Sequence, residues 1–404
     1  MRKGLNVNTI KIEKECSVKY EIARIAKHNE TKTLLFKNIR ESEIPLLTNY
    51  FIPKNVEKFF SKECLIKTFE KRGKLKIINE SPFAEISLKD LPILTFWHNT
   101  KPYITSGIVI AEDEEFGINA SFHRLMVINE KKLAIRITER DLHKYYQKTQ
   151  ERNKALNIAI IITLNPCILL AAATSLKIDE NELEYAAALQ NKPLKLIELE
   201  NGVSVPVDSE IIIEGYIPPK ERVPEGPFVD ITGTWDIIRE QPVVYVDKVY
   251  CKENAIYYTI IPSSLEHKCL MGMPKEIEIF NALKNAGVDV KDVYLTEGGC
   301  KWLHCVVAIR KHKKDDAKVA AEVALKTHRS IKHIVIVDDD INVRDMQDVE
   351  WTIATRVQAD KDVTLLKNQV GSSLDPSAKQ GKTCKVIIDA TIKDKEENFR
   401  KVFV

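Results

Sequence analysis

Between Tyr103 and Pro262 apolar and polar residues alternate in short runs, first ITSGIVIAED, FHRLMVIN and LAIRIT, set apart by the turn GINA and the charged turn EKK. Alternation sends one face of each run inward, so these read as close-set strands of an antiparallel sheet or small barrel. KLIEL, VSVPV, EIIIEGYI, PVVYVDKVYCK and AIYYTIIP continue the series. Helical spacing interrupts it twice. DLHKYYQKTQERN has Asp141 as its N-cap candidate, and IDENELEYAAALQ has acids in its first turn. Earlier, VEKFFSKECLIKTFEKRG reads as one amphipathic helix. From about residue 275, KEIEIFNALKNAG, VKDVYLT, LHCVVAIR, DDAKVAAEVALKTH and KHIVIVDDD alternate helix with strand, the rhythm of a small α/β domain.

The run from Leu156 to Leu176, LNIAIIITLNPCILLAAATSL, has the length of a membrane span. Asn165-Pro166 divides it into an Ile-rich half and a Leu/Ala-rich half, so strand, turn and buried helix is the expected reading. Lys and Arg number 61 against 58 Asp and Glu, a near cancellation that makes no field for a nucleic acid. MRKGLNVNTIKIEKE scatters charges and lacks the apolar core of a signal peptide, so a cytoplasmic protein is expected. Eight cysteines without CxxC pairs read as free thiols, and in GGCKWLHCVVAIR buried strand cysteines are favoured over zinc ligands. Neither GxGxxG nor GxxxxGK[ST] occurs, which excludes the usual Rossmann and P-loop nucleotide sites.

Four places could carry chemistry. GINASFHR puts Asn119 at a turn and Arg124 in the strand beyond it; the first offers a hard oxygen, the second a planar fork for a carboxylate. EYAAAL places Glu184 near the start of an apolar helix, where the helix dipole favours a first-turn acid. PEGPFVDITGTWD sets Glu225 and Asp230 across a Gly-Pro pair, either a loop of solvated acids or a rigid corner that divides labour between them. VDDDINVRD follows a strand, and its acids read as turn and N-cap residues.

Asn119 with Arg124 five positions on, the EYA glutamate and the EGPFxDxTG segment occur in the order and spacing of the UbiD family of decarboxylases, which the chain resembles over most of its length. The resemblance implies an α+β and α/β multidomain fold: an N-terminal α/β domain over 1–100, a central split β-barrel binding the cofactor over 101–265, and a C-terminal α/β oligomerisation domain over 266–404. It implies prenylated FMN, with a divalent metal, usually manganese, and potassium as a further cation. Asn119 and Glu184 match metal ligands. Phe122, His123 and Arg124 match one flavin-lining segment, and Arg136, Ile137 and Thr138 a second. Arg124, Glu225 and Asp230 match the catalytic network, and Lys385 in KVIIDAT matches a residue near the cofactor. Two departures stand out: Arg140 or Asp141 lies where a ligating His is common, and Val229 replaces a common glycine.

The implied reaction is loss of CO₂ from an α,β-unsaturated acid, which needs an electron sink that no side chain supplies. In this reading Arg124 orients the substrate carboxylate, Glu225 holds Arg124, and Asp230 protonates the carbon. The composition resembles the archaeal branch, which implies trans-anhydromevalonate 5-phosphate as substrate and isopentenyl phosphate as product. The alternatives are an aromatic acid of the 4-hydroxy-3-polyprenylbenzoate type and a split-barrel FMN oxidoreductase. A flavin prenyltransferase as cofactor supplier and a homodimer or larger homo-oligomer complete the expectation, with no nucleic acid and no membrane span.

Overall fold

The computed structural model describes residues 7–393 and divides the chain into two compact units, Met1–Leu270 and Met271–Val404. The expectation about a leader at the extreme N-terminus lies in part outside the described residues.

The first unit is built around a ten-stranded antiparallel sheet. Its order runs Tyr103–Ile104, Leu125–Asn129, Lys132–Ile135, Arg239–Lys252, Ser209–Ile217, Leu156–Thr163, Ile108–Asp113 and Gly117–Phe122, with Arg222–Glu225 and Phe83–Ile86 both paired to Arg239–Lys252. The Ile-rich strand Leu156–Thr163 lies at the centre because it is apolar on both faces, pairing with Ser209–Ile217 on one side and Ile108–Asp113 on the other. Asn165 then ends it and starts the helix Pro166–Ala173, its side chain accepting from Cys167 N at 2.9 Å. Among the described residues no helix is long and apolar enough to cross a membrane.

The first hundred residues are interleaved with the rest of this unit. A four-stranded sheet of Thr9–Ile12, Thr33–Phe36 and Leu46–Thr48 takes Tyr257–Tyr258 as its last strand. Leu75–Ile77 pairs with Leu194–Glu198 in a small three-stranded sheet. The segment expected as one helix over 56–73 is two, Pro53–Phe59 and Lys62–Thr68, because Phe60 is extended and Ser61 caps the second helix by accepting from Cys64 N at 3.1 Å. Asp141 is likewise the first helical residue of Asp141–Glu151 and not its cap, a position held by Arg140.

The second unit has a five-stranded mixed sheet, ordered Val290–Leu295, His304–Ile309, His333–Asp338, Lys382–Asp389 and Val363–Val370. Apolar clusters cover both of its faces, one including Ala317, Ala320, Ala321 and Ala324 of the helix Asp316–Thr327 and the other Val349 of Met346–Arg356. Cys305 is buried in a strand. The acids of VDDDINVRD face the next helix: Asp338 and Asp340 pair with the buried Arg356 of Met346–Arg356 at 3.4 and 2.6 Å, and Asp345 caps that helix. Those acids therefore have internal partners. Lys385 donates to the Arg329 carbonyl at 2.6 Å within this unit.

Candidate active site

Arg124 follows the strand Gly117–Phe122 and is the hub of a buried ion network. Its Nε and Nη2 grip Glu225 bidentately at 3.0 and 2.9 Å, the fork geometry a carboxylate matches. Nη1 reaches Asp230 at 3.3 Å, Nη2 also reaches Asp236 at 2.9 Å, and the Phe228 ring lies beneath the guanidinium at 4.6 Å. Glu225 has no exposed surface and accepts a further bond from Tyr103 Oη at 3.0 Å. Burial lowers the Arg124 proton affinity, but the hydrogen bonds and charges of Glu225, Asp230 and Asp236 outweigh it and hold the guanidinium above its usual range.

The corner between the two acids is made by Gly226, whose φ of +114° is closed to most side chains; the Gly226-Pro227 peptide is cis. Val229 takes no positive φ. It is extended, in a two-residue strand that pairs with Trp235–Asp236, so a β-branched residue fits there and the glycine of related sequences is not needed. Asp230 begins the hairpin turn; its Oδ1 accepts from Ile231 N at 2.6 Å, its Oδ2 faces Arg124, and its side chain keeps 20% exposure. Glu225 is thus sealed while Asp230 is partly exposed.

A second cluster sits on Gly117–Phe122, which is a strand and not the turn expected at GINA, so Asn119 lies within a strand and Arg124 between two strands. His123 is pinned between the Arg136 carbonyl at 2.9 Å and Ser121 Oγ at 3.1 Å, and Ser121 in turn donates to Asn119 Oδ1 at 3.0 Å. Burial drives His123 down to about 4, so its imidazole is neutral near neutral pH. The acid facing Asn119 is Glu182, with Oε1 3.4 Å from Asn119 Nδ2 and Oε2 accepting from Ala120 N at 2.9 Å. Glu184, the residue expected there, is two positions along the same helix and so about 200° round its axis. Burial pushes Glu182 up to about 8, and no lysine or arginine pairs with it among the described residues. Arg136 has the converse condition: its guanidinium reaches its neighbour's carbonyl at 3.4 Å and has no carboxylate hydrogen-bond partner among the described residues. Ile137 is buried and its N–H donates to Gln241 Oε1 at 3.0 Å; Thr138 and Arg140 are joined only through the turn bond from Arg140 N to the Thr138 carbonyl at 2.7 Å.

Tyr103, Glu182, Asp236 and His267 were not singled out from the sequence. His267 lies at the start of the helix Leu265–Asn285, accepts from Ser263 N at 3.1 Å, and is held low by burial, against which the charge of Asp230 pulls upward. Among these, Glu182 had a local signal, as the first acid of ELEYAAAL.

The order of domains and the residues of this site define a class: the chain belongs to the UbiD family of carboxy-lyases. Residues 8–56, 70–265 and 268–390 match the N-terminal, Rift-related and C-terminal domains of 3-octaprenyl-4-hydroxybenzoate carboxy-lyase. Within that family, a Methanocaldococcus jannaschii protein named anhydromevalonate phosphate decarboxylase is 42% identical, covering 97% of this chain and 96% of the relative. A Methanosarcina mazei protein of the same name is 41% identical over 99% and 96%. Among solved structures, HmfF from Pelotomaculum thermopropionicum in complex with FMN is 34% identical with a TM-score of 0.93, covering 98% of this chain and 94% of that one. An evolved dimeric form of HmfF, in complex with prFMN, has a TM-score of 0.88 at 32% identity, covering 98% and 93%.

Proposed function

We propose that the protein decarboxylates trans-anhydromevalonate 5-phosphate to isopentenyl phosphate and CO₂. The observation that carries this is the Arg124 network, a guanidinium held by a sealed glutamate beside a partly open aspartate, in a chain about 40% identical over nearly its whole length to proteins named for that reaction. Breaking the bond to the carboxylate leaves an electron pair on an alkene carbon. Prenylated FMN, when bound, supplies the sink for that pair.

The residues fit such a group. Arg136, whose side chain has no carboxylate hydrogen-bond partner among the described residues, would suit a cofactor anion, and the carboxylate of Glu182 with the side-chain oxygen of its neighbour Asn119 would supply hard oxygen donors to manganese. Asn119 and Glu182 are therefore proposed as the ligands in place of Asn119 and Glu184, with Asp141, whose charge acts on Glu182, as the third oxygen donor. Phe122, His123, Ile137 and Thr138 would line the flavin, and the ten-stranded sheet would form the split barrel that holds it. Potassium would serve as a second, hard-oxygen-bound cation.

Arg124 takes the substrate carboxylate through Nη1, whose contact with Asp230 is the longest in the network. Glu225 and Tyr103 keep the guanidinium from following the departing CO₂. Asp230 then gives its proton to the carbon that has lost CO₂ and is reprotonated from solvent, to which it is partly open. The three divisions at 1–100, 101–265 and 266–404, a homo-oligomeric assembly, a cytoplasmic location and supply of the cofactor by a separate prenyltransferase belong to the same reading.

The test is to load the protein with prenylated FMN and offer trans-anhydromevalonate 5-phosphate and a 4-hydroxy-3-polyprenylbenzoate separately. CO₂ from the first acid is expected. Release from the aromatic acid alone would transfer the reading to that substrate class, and unmodified FMN with pyridine-nucleotide oxidation would replace it with an oxidoreductase.

A further inference from the structure

Asp236 bridges two guanidiniums. Its Oδ2 takes Arg124 Nη2 at 2.9 Å and its Oδ1 takes Arg239 Nη1 at 2.5 Å, while its side chain is only 13% exposed. Oδ1 also accepts from Ile237 N at 3.0 Å, and Arg239 Nη1 reaches the Ile237 carbonyl at 3.2 Å, so the carboxylate is fixed at both ends. Burial would raise Asp236, but the bonds and charges of Arg239 and Arg124 outweigh it and hold the carboxyl below its usual range. It is charged whenever the protein is folded near neutral pH.

The placement matters because of what shares it. Asp236 is paired across the hairpin with Phe228, and Asp230 stands in the turn of that same hairpin, so one short ribbon carries both acids to one arginine. Charges then alternate along the line Asp230, Arg124, Asp236, Arg239. Both hydrogens of Arg124 Nη2 are taken, one by Glu225 and one by Asp236, which leaves Nη1 as the end free to exchange partners. The other groups facing this line are Arg136, beside Asp236, and His267, beside Asp230.

We propose that Asp236 is a positioning residue for the decarboxylation: braced by Arg239, it sets how much of the Arg124 charge reaches Asp230, and so the pH range over which Asp230 can deliver its proton. This rests on the reading of Asp230 as the proton donor. Removing the negative charge of Asp236 favours the Asp230 anion directly and releases Arg124 toward it. Removing the positive charge of Arg239 does the reverse, since Asp236 then draws more of Arg124 to itself.

The two effects have opposite signs, which separates them from a merely structural role. In cofactor-loaded enzyme, Asp236→Asn should move the alkaline limb of the kcat–pH profile down by about one pH unit, and Arg239→Gln should move it up by a similar amount. The double variant should return close to the parent profile, and Arg239→Lys should restore it. A readout without cofactor is the acid side of the Tm–pH curve. A carboxyl depressed on folding contributes stability that is present above its unfolded value near pH 4 and lost as pH falls through the folded one, so Asp236→Asn should flatten that decline. Limbs that stay put, or that move the same way in both variants, would overturn the inference while leaving Asp230 as donor. If Asp230→Asn is itself fully active, the underlying reading fails instead.

Discussion

A guanidinium with four contacts to three carboxylates has little rotational freedom, and at Arg124 that freedom is confined to Nη1. The residue-scale logic extends to the second cluster, where the identity of one acid decides the metal site. Glu182 and Glu184 stand two positions apart in ELEYAAAL, and it is Glu182 that hydrogen-bonds Asn119. Asn181 caps the helix by accepting from Leu183 N at 2.8 Å, in the turn that places Glu182 against Asn119. Glu182→Gln should weaken manganese binding to flavin-loaded protein at least about tenfold, measured by metal titration, while Glu184→Gln should leave it within about twofold. The reverse ranking would return the ligand role to Glu184. At the corner, Gly226→Ala would force a side chain into a φ of +114° with its Cβ 3.3 Å from Ile238 Cα. A stability loss of about 1–3 kcal/mol is expected, with turnover reduced more than flavin binding; retention of full activity would show that the corner does not need its glycine. Asp236 closes PEGPFVDITGTWD but was not legible there, because it is the pairing of Trp235–Asp236 with Phe228–Val229 that brings it to Arg124.

At the scale of elements, the period-two pattern found the longer strands between Tyr103 and Tyr258, whose inward faces are apolar. It did not find Gly117–Phe122, read as the turn GINA, nor the short strands Arg222–Glu225, Phe228–Val229 and Trp235–Asp236, which are too brief to show a period. Period alone did not find the break at Phe60-Ser61, since apolar spacing runs on across it while the Ser61 cap acts only locally. Nor could it foresee that Tyr257–Tyr258 would complete the sheet begun by Thr9–Ile12. That return is secured by Glu266, which is fully buried and accepts from Phe51 N at 2.5 Å, Tyr258 Oη at 2.8 Å and Asn49 N at 2.9 Å. Burial outweighs those bonds and pushes its carboxyl up to about 7. A carboxyl raised on folding keeps its proton in the folded protein where the unfolded chain has lost it. Its contribution is therefore full below the unfolded value near pH 4.3 and disappears as pH rises through about 7. Glu266→Gln should flatten the fall of Tm across that window and lower Tm throughout it, because an amide cannot accept all three bonds. A Tm–pH slope unchanged from the parent would contradict this.

Across the whole molecule, the N-terminal, Rift-related and C-terminal matches account for most of the chain, and the likeness to HmfF extends over 98% of it. The family was legible in the sequence because its phrases, from GINASFHR to EGPFVDITG, mark turns and strand ends where backbone shape and chemistry constrain the residues together. The substrate was less so, since no short motif specifies a phosphate. The central claim is that Asp230 supplies the proton to a substrate carbon while Arg124 and Glu225 hold the carboxylate end. The measurement that tests it most directly is turnover of trans-anhydromevalonate 5-phosphate by Asp230→Asn protein that retains its prenylated FMN by mass and absorbance. The account predicts a fall in kcat of at least about a hundredfold, with cofactor content unchanged; a variant that releases CO₂ and forms isopentenyl phosphate at the parent rate would contradict it.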